Sequence, residues 1–464
     1  MQKRADALDA LRGLAILLMI LSGSIPFGGM LPDWMYHAQL PPPTHKFNPN
    51  LPGLTWVDLV FPFFLFAMGT AFPFALSKKI KSGVSNFKIS LQILERGLLL
   101  AGFAIFIQHF KPYALNPSPT NQDWLIGILG FILLFALYLR FPNSVNKKIV
   151  YAVRITGIII TVLMLANLSY PNDSSFSLGR SDIIILVLAN TAFFGSLIWL
   201  FTKENLLLRL GVLGFLIAFR LTQSIDGSWN NWLWDFSPFP WLYKLYYLQY
   251  LFIVIPGTII GDILYKWFNS ESKYEIYDSK NSAVLITVVT FAIIICNLIF
   301  LQSRMMVVNL IVNLILLIVI YFIIKNQNDS LIKTLFNWGS YWVLLGLTFE
   351  AFEGGIKKDQ STLSYYFLTT GLAIFCYIFL STIIDYFKQK NMFRLIINSG
   401  QNPMIAYVAG SLFWMPVLEL TNLSSVLNLL LVNPWLGFFK GVIFTFFVAV
   451  TASFFTSKKL FWRT

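Results

Sequence analysis

The chain has 464 residues, 57% of them hydrophobic and only 12% charged, and no polar stretch is long enough for a soluble domain. Soluble domains carry about 25% charged residues, so a single membrane bundle is expected rather than several globular domains. The net charge of +13 is spread in short basic clusters between apolar stretches, which points to membrane topology and away from nucleic acid.

Apolar stretches of about 20 residues recur from end to end. Spans are predicted at roughly 10–29, 56–77, 92–110, 123–140, 149–169, 182–202, 205–222, 241–267, 281–301, 305–325, 332–353, 363–387, 401–421 and 434–457. This describes an all-α polytopic membrane protein of about fourteen transmembrane helices, with a range of about ten to fourteen. The hairpins at Lys203-Glu204-Asn205 and Gln302-Ser303-Arg304 are the tightest, because their spans nearly touch.

Basic residues fall on alternate connections. One set holds Lys3, Arg4 and Arg12, Lys78 to Lys88, Arg140 to Lys148, Lys203 and Arg209, Lys266 to Lys280, Lys325 and Lys333, Lys388 to Arg394, and Lys458 to Arg463. The other set is sparse: Lys46, Lys111, Arg180, Arg304 and the pair Lys357-Lys358. The positive-inside rule then puts both termini in the cytoplasm and His37, His45 and His109 near the outer face. Lys357-Lys358 is the one cluster on the unexpected side. Met1-Gln-Lys-Arg-Ala-Asp6 leads into an apolar run with no small-residue cleavage site, and is expected to enter a first span.

In chain order, the first chemical feature is Leu8-Asp9-Ala-Leu-Arg12-Gly13. Asp9 and Arg12 share a helix face. They read either as an interfacial ion pair or as an anion site, with Arg12 as the fork for a phosphorylated donor.

The second feature is a polar island, Trp34-Met-Tyr-His37-Ala-Gln39 through Thr44-His45 to Gly53, which holds two of the three histidines. Imidazole is the usual proton carrier near neutrality. The island is rich in Trp, Tyr and Pro, which suits a rigid lid. It abuts Leu54-Thr55-Trp56-Val57-Asp58, where Asp58 enters an otherwise uncharged span. A carboxylate within a span costs about 2.5–3.5 kcal/mol on insertion scales, so it usually faces a partner. Asp58 reads either as a capping residue or as the orienter of a histidine base.

Three further segments follow. The Trp229–Trp241 stretch suits an interfacial aromatic belt, with carbohydrate stacking as the sharper alternative. Glu350 to Tyr366, including Lys358, Ser364 and Tyr365, fits either a solvated loop or a site for a polar acceptor such as a sugar. Asn402-Pro403 is a helix-start signal, and Asn402 equally suits a ligand contact. Cys296 and Cys376 lie in apolar stretches, without disulfide or metal-ligand spacing, so no metal is expected. No GxxxxGK[ST] motif occurs.

Taken together, Leu8-Asp9-Ala-Leu-Arg12-Gly13, Trp34-Met-Tyr36-His37-Ala38, Leu54-Thr-Trp-Val-Asp58-Leu-Val-Phe-Pro-Phe-Phe64, Ser361-Thr-Leu-Ser364-Tyr365, Asp385, Asn402 and Lys458-Lys-Leu-Phe-Trp-Arg463 resemble the heparan-α-glucosaminide N-acetyltransferase family of transmembrane acyltransferases and its bacterial relatives. The best-matching blocks are 1–110 and 355–464, with a divergent middle at 111–354; residues 1–464 are expected to form one transmembrane acyltransferase domain. The chain departs from the family by the insertion Pro41–Asn50, by Ser22-Gly23-Ser24 where relatives often carry asparagine, and by additional hairpins in the middle.

The resemblance implies acetyl transfer from cytoplasmic acetyl-CoA to an amino sugar or sugar hydroxyl on the outer side of a bilayer, in a bacterial inner membrane. His37 is then the base or nucleophile, Asp58 its orienter and His45 a rival within the insertion. Asp9, Arg12 and Arg96 are expected at the CoA phosphates, and Lys358, Ser364, Tyr365 and Asn402 at the acceptor. Monomer and homodimer both suit such a bundle. A transporter or flippase for a free or lipid-linked saccharide is the alternative, disfavoured because most charge lies near span ends. An inactive membrane scaffold is a third.

Overall fold

The structure, a computed structural model, describes residues 5–27, 31–270, 277, 279–325 and 331–464. Lys3, Arg4, Lys273 and residues 28–29 of the first predicted span lie outside the described residues. Among those described, the elements are helices and no strand is present. Every predicted span coincides with a helix. These are α1 (Asp6–Ser24), α2 (Trp56–Lys81), α3 (Asn86–Phe110), α4 (Asn121–Tyr138), α5 (Lys147–Asn167), α6 (Ile183–Thr202), α7 (Leu206–Thr222), α8 (Leu251–Asn269), α9 (Lys280–Gln302), α10 (Met306–Ile324), α11 (Leu331–Phe352), α12 (Leu363–Ser381), α13 (Pro403–Leu420, with an internal π-helical turn) and α14 (Pro434–Ser457).

Twelve of these are long and apolar enough to cross a membrane, so the expected fourteen become twelve. The two exceptions have physical causes. α7, with 17 residues, is the shortest of the fourteen and lies at the lower limit for crossing a hydrocarbon core of roughly 30 Å. α11 is longer, but Lys333, Asn337, Ser340 and Glu350 dilute its apolar character. The protein is a polytopic helical membrane protein.

The chain divides into two compact units: residues Met1–Val84, Ile198–Leu213 and Tyr250–Gly400 form one, and Ser85–Leu197, Gly214–Gln249 and Gln401–Thr464 the other. In the first unit, α12 is buried on nearly every face and packs against α1, α2, α8, α9 and α11. It continues into a π-helical turn, Thr382–Tyr386, that carries Asp385.

Helices α2 and α8 cross with their backbones nearly touching. A methyl group on Gly69 would meet the Val254 carbonyl oxygen at 2.3 Å, and one on Gly257 the Phe66 oxygen at 2.7 Å. Small residues permit the close packing that holds helices together in lipid, where burial of apolar surface drives little. The α9–α10 hairpin is joined by three fully buried asparagines. Asn297 donates to Asn313 at 2.8 Å and accepts from Asn309 at 3.1 Å.

In the second unit, Phe131 and Phe135 of α4 pack against Phe455 of α14 and against Trp462 near the C-terminus. Asp182 accepts from Lys111 Nζ at 2.8 Å and Tyr407 Oη at 2.9 Å. His109 is fully buried. Its Nδ1 donates to the Ile105 carbonyl at 2.7 Å and its Nε2 accepts the Ser177 N–H at 3.4 Å, so both ring nitrogens are engaged.

Candidate active site

The site lies in the first unit and begins with the start of α2. Thr55 and Asp58 have the spacing of a capping box, in which the third helical residue reaches back to the N-cap. Asp58 Oδ2 accepts the Thr55 backbone N–H at 3.0 Å and the Ala38 N–H at 3.2 Å. The Thr55 hydroxyl donates to the Tyr36 carbonyl at 2.7 Å. The cap therefore also binds the island segment on either side of His37. Asp58 Oδ1 remains, and it takes His37 Nδ1 at 2.7 Å. Asp58 is both the helix cap and the partner of a histidine.

The carboxylate is 2% exposed, whereas the imidazole is 31% exposed. A carboxylate accepts only, so the contact puts the proton on Nδ1 and the lone pair on Nε2. This is the base–orienter arrangement of general-base sites. Tyr365 supports it from α12 by donating its hydroxyl to the Asp58 carbonyl at 2.8 Å. Burial pushes the Tyr36 hydroxyl up from its usual range, and it donates to the Pro26 carbonyl at 2.9 Å.

A third segment, Glu353 to Thr362 between α11 and α12, completes the site. Lys358 Nζ lies 3.1 Å from His37 Nδ1 and 3.3 Å from Nε2. The segment is fastened to the island twice. The Gln39 side chain receives the Asp359 N–H at 2.9 Å and donates to the Asp359 carbonyl. Gly53 donates its N–H to the Ile356 carbonyl at 2.9 Å. Glu353 receives the Leu363 and Ser364 N–H groups at 2.7 and 2.8 Å, anchoring the segment to the start of α12. Thus the island, the adjoining start of α2 and a segment 321 positions away meet at one imidazole.

The other expected residues fall elsewhere. His45 rests its Nδ1 on the Leu40 carbonyl at 3.3 Å and packs edgewise on Tyr36, with ring centroids 4.5 Å apart. It is His37 that holds the carboxylate. Ser364 and Tyr365 are fully buried; Ser364 gives its hydroxyl to Thr362 at 2.8 Å. Asn402, in the second unit, is also fully buried. Its amide bridges the Leu460 carbonyl at 2.8 Å and the Trp462 N–H at 3.3 Å. None of these three presents a polar atom to solvent.

Arg12 pairs with Asp9 at 3.2 Å and donates to the Gly400 carbonyl at 3.1 Å and the Ala67 carbonyl at 3.5 Å. These contacts pin α1 against α2 and against the short helix Arg394–Gln401. Arg96 is exposed on α3 in the second unit.

Sequence reasoning gave no site role to Gln39 or Thr55, and it placed Glu353 only within the segment for a polar acceptor. Thr55 had a local signal, the T-x-x-D spacing. Gln39 had none, since its partner Asp359 lies 320 positions away. Lys358 did carry a signal, because it belongs to the basic pair that breaks the charge pattern.

Over 126 residues the chain is 30% identical to the heparan-alpha-glucosaminide N-acetyltransferases of Homo sapiens and Mus musculus. That stretch is 27% of this chain and 17% of each relative, so the match spans only a small part of either protein. The resemblance drawn from the separated sequence blocks is thus a distant relationship. Residues 4–264, more than half of the chain, match the family described as "Domain of unknown function (DUF5009)". With its apolar helices and this match, the chain is a membrane protein that belongs to the DUF5009 family.

Proposed function

We propose that the protein is a membrane acyltransferase that moves an acetyl group from acetyl-CoA to an amino sugar or a sugar hydroxyl, with His37 as the base. One observation carries this reading: the 2.7 Å contact of His37 Nδ1 with buried Asp58, which leaves Nε2 as the lone-pair nitrogen of a partly exposed ring. The distant relationship to membrane N-acetyltransferases supports the choice of acyl transfer over other proton-transfer chemistry.

In the proposed step the acceptor nitrogen or oxygen attacks the thioester carbonyl. His37 Nε2 takes the acceptor's proton, and the tetrahedral adduct collapses with cleavage of the carbon–sulfur bond. The proton then passes from the imidazolium to the leaving sulfur, giving the acetylated acceptor and free CoA thiol. Asp58 holds the tautomer and balances the transient imidazolium. The same lone pair would serve a two-step route, in which His37 carries the acetyl group before the acceptor receives it.

Arg12, with Asp9 as its ion-pair partner, is proposed at the CoA phosphates. For Arg12 this means exchanging the Gly400 and Ala67 carbonyls for phosphate oxygens. The proposed topology has cytoplasmic termini in a bacterial inner membrane, with the donor entering from the cytoplasm and the acceptor from outside. Residues 1–464 would then act as one catalytic domain.

The test is a screen of amino sugars and glycans against purified protein with labelled acetyl-CoA. Acceptor-dependent release of CoA, with label in the saccharide, is expected. Movement of an unmodified saccharide across a proteoliposome membrane, with acetyl-CoA untouched, would replace the enzyme by a transporter.

A further inference from the structure

The position of Lys358 over His37 is more specific than a general acceptor contact. Its ammonium is almost equidistant from the two ring nitrogens, at 3.1 and 3.3 Å. An in-plane approach at those distances would drive it into Cε1, so it lies above the ring plane. It therefore leaves the in-plane lone pair of Nε2 clear. Asp58 holds one edge of the ring and the ammonium covers one face.

The backbone on both sides of Lys358 is tied down. Lys357 N–H donates to Thr362 Oγ1 at 3.1 Å, and Asp359 is clamped by Gln39 on its N–H and its carbonyl. The Ser361 hydroxyl donates to the Lys358 carbonyl itself. Gln39 is 3% exposed, so this clamp is part of the packed island rather than a surface contact.

We propose that Lys358 is a positioning residue whose ammonium, seated on one face of the ring, opposes a second positive charge on His37 while leaving its Nε2 edge open, and that Gln39 holds it there. Its meaning for catalysis rests on the acyltransferase reading; the charge relation itself does not. Asp58 on α2 and Lys358 touch the ring; the segments that meet there also carry Lys357, Asp359 and Glu353, with Tyr365 on α12 and Tyr36 and His45 on the island. Asp58 favours the charged ring and Lys358 opposes it, since like charges at contact distance favour the neutral form.

The experiment uses diethyl pyrocarbonate, which acylates the neutral but not the protonated form of an imidazole, on the 464-residue protein in detergent, with the His37 adduct resolved from lysine and tyrosine adducts. His45→Gln is the background, and modification of His37 is followed by mass spectrometry across a pH series. In Lys358→Met the half-maximal rate should move to higher pH, with the rate at a fixed pH below neutrality falling more than about threefold. Lys358→Arg should keep the parent profile. Gln39→Leu should move it in the same direction as Lys358→Met, by less. Lys358→Gln replaces the Met variant if that one loses its fold. A profile in Lys358→Met or Lys358→Gln that coincides with the parent, or moves to lower pH, overturns the proposal. If the profile moves as expected while no saccharide accepts acetyl, the acyltransferase reading falls and the charge relation stands.

Discussion

Two charged clusters of the first unit differ in one instructive respect. Arg209 of α7 is 2% exposed, and its guanidinium is engaged by protein alone. It donates to Asp262 at 2.6 Å, to the Thr258 hydroxyl at 3.3 Å, and to the hydroxyl and carbonyl of Thr202 at 3.2 Å each. Trp199 donates to the other Asp262 oxygen at 2.9 Å. His37 also sits on a buried carboxylate, yet its ring is 31% exposed and Nε2 has no in-plane partner among the described residues. The first network is closed and fixes α7 against α6 and α8. The second is open on one edge, and an open edge is where chemistry can enter. Charge alone does not separate the two; the unspent lone pair does.

This contrast is sharpest at the carboxylates. Asp58→Asn keeps the size and an acceptor oxygen for the α2 cap, but removes the charge that orients His37. Acetyl transfer should fall by about 10²–10⁴, with a thermal midpoint close to that of the parent, as read from kcat/KM and thermal unfolding of the same preparation. The closed network should behave in the opposite way. Arg209→Met leaves Asp262 with Trp199 but without its counter-charge and should cost about 3–5 kcal/mol of stability, while activity per folded molecule stays unchanged. Adding Asp262→Leu should recover much of that loss. A large activity loss in stable Arg209→Met protein would erase the distinction.

Asn402 offers a milder case, since it serves only the backbone near the C-terminus. Asn402→Ala should cost about 1–3 kcal/mol in unfolding and leave KM for both substrates in place. His45→Ala should have the smallest effect, with transfer within about threefold of the parent. A much larger loss there would move the site along the island and separate Asp58 from catalysis.

Much of this architecture was legible in the sequence. Every apolar stretch became a helix, because length and hydropathy dominate in lipid. Span number was less legible, since α7 is a helix of marginal length and α11 one of marginal apolar character. The pairing of His37 with Asp58 was legible too, because the two flank one helix start and Thr55-x-x-Asp58 fixes the carboxylate.

What lay beyond local reading were the long-range fastenings. Arg209 counted among loop charges, yet it is buried on Asp262. Arg304, from the sparse side of the charge pattern, pairs with Glu350 at 2.7 Å. Lys358 reaches His37 across 321 positions. Such contacts join α7 to α8, the α9–α10 connection to α11, and the segment between α11 and α12 to the island, and no window of sequence contains both partners.

The central claim is that His37 takes the proton in an acyl transfer. Its most direct test is acceptor-dependent CoA release from labelled acetyl-CoA by the parent protein, His37→Ala, His45→Ala and the double variant, each verified as folded. The account predicts loss of transfer in His37→Ala and in the double variant, with His45→Ala retained. Transfer persisting in the double variant would contradict it.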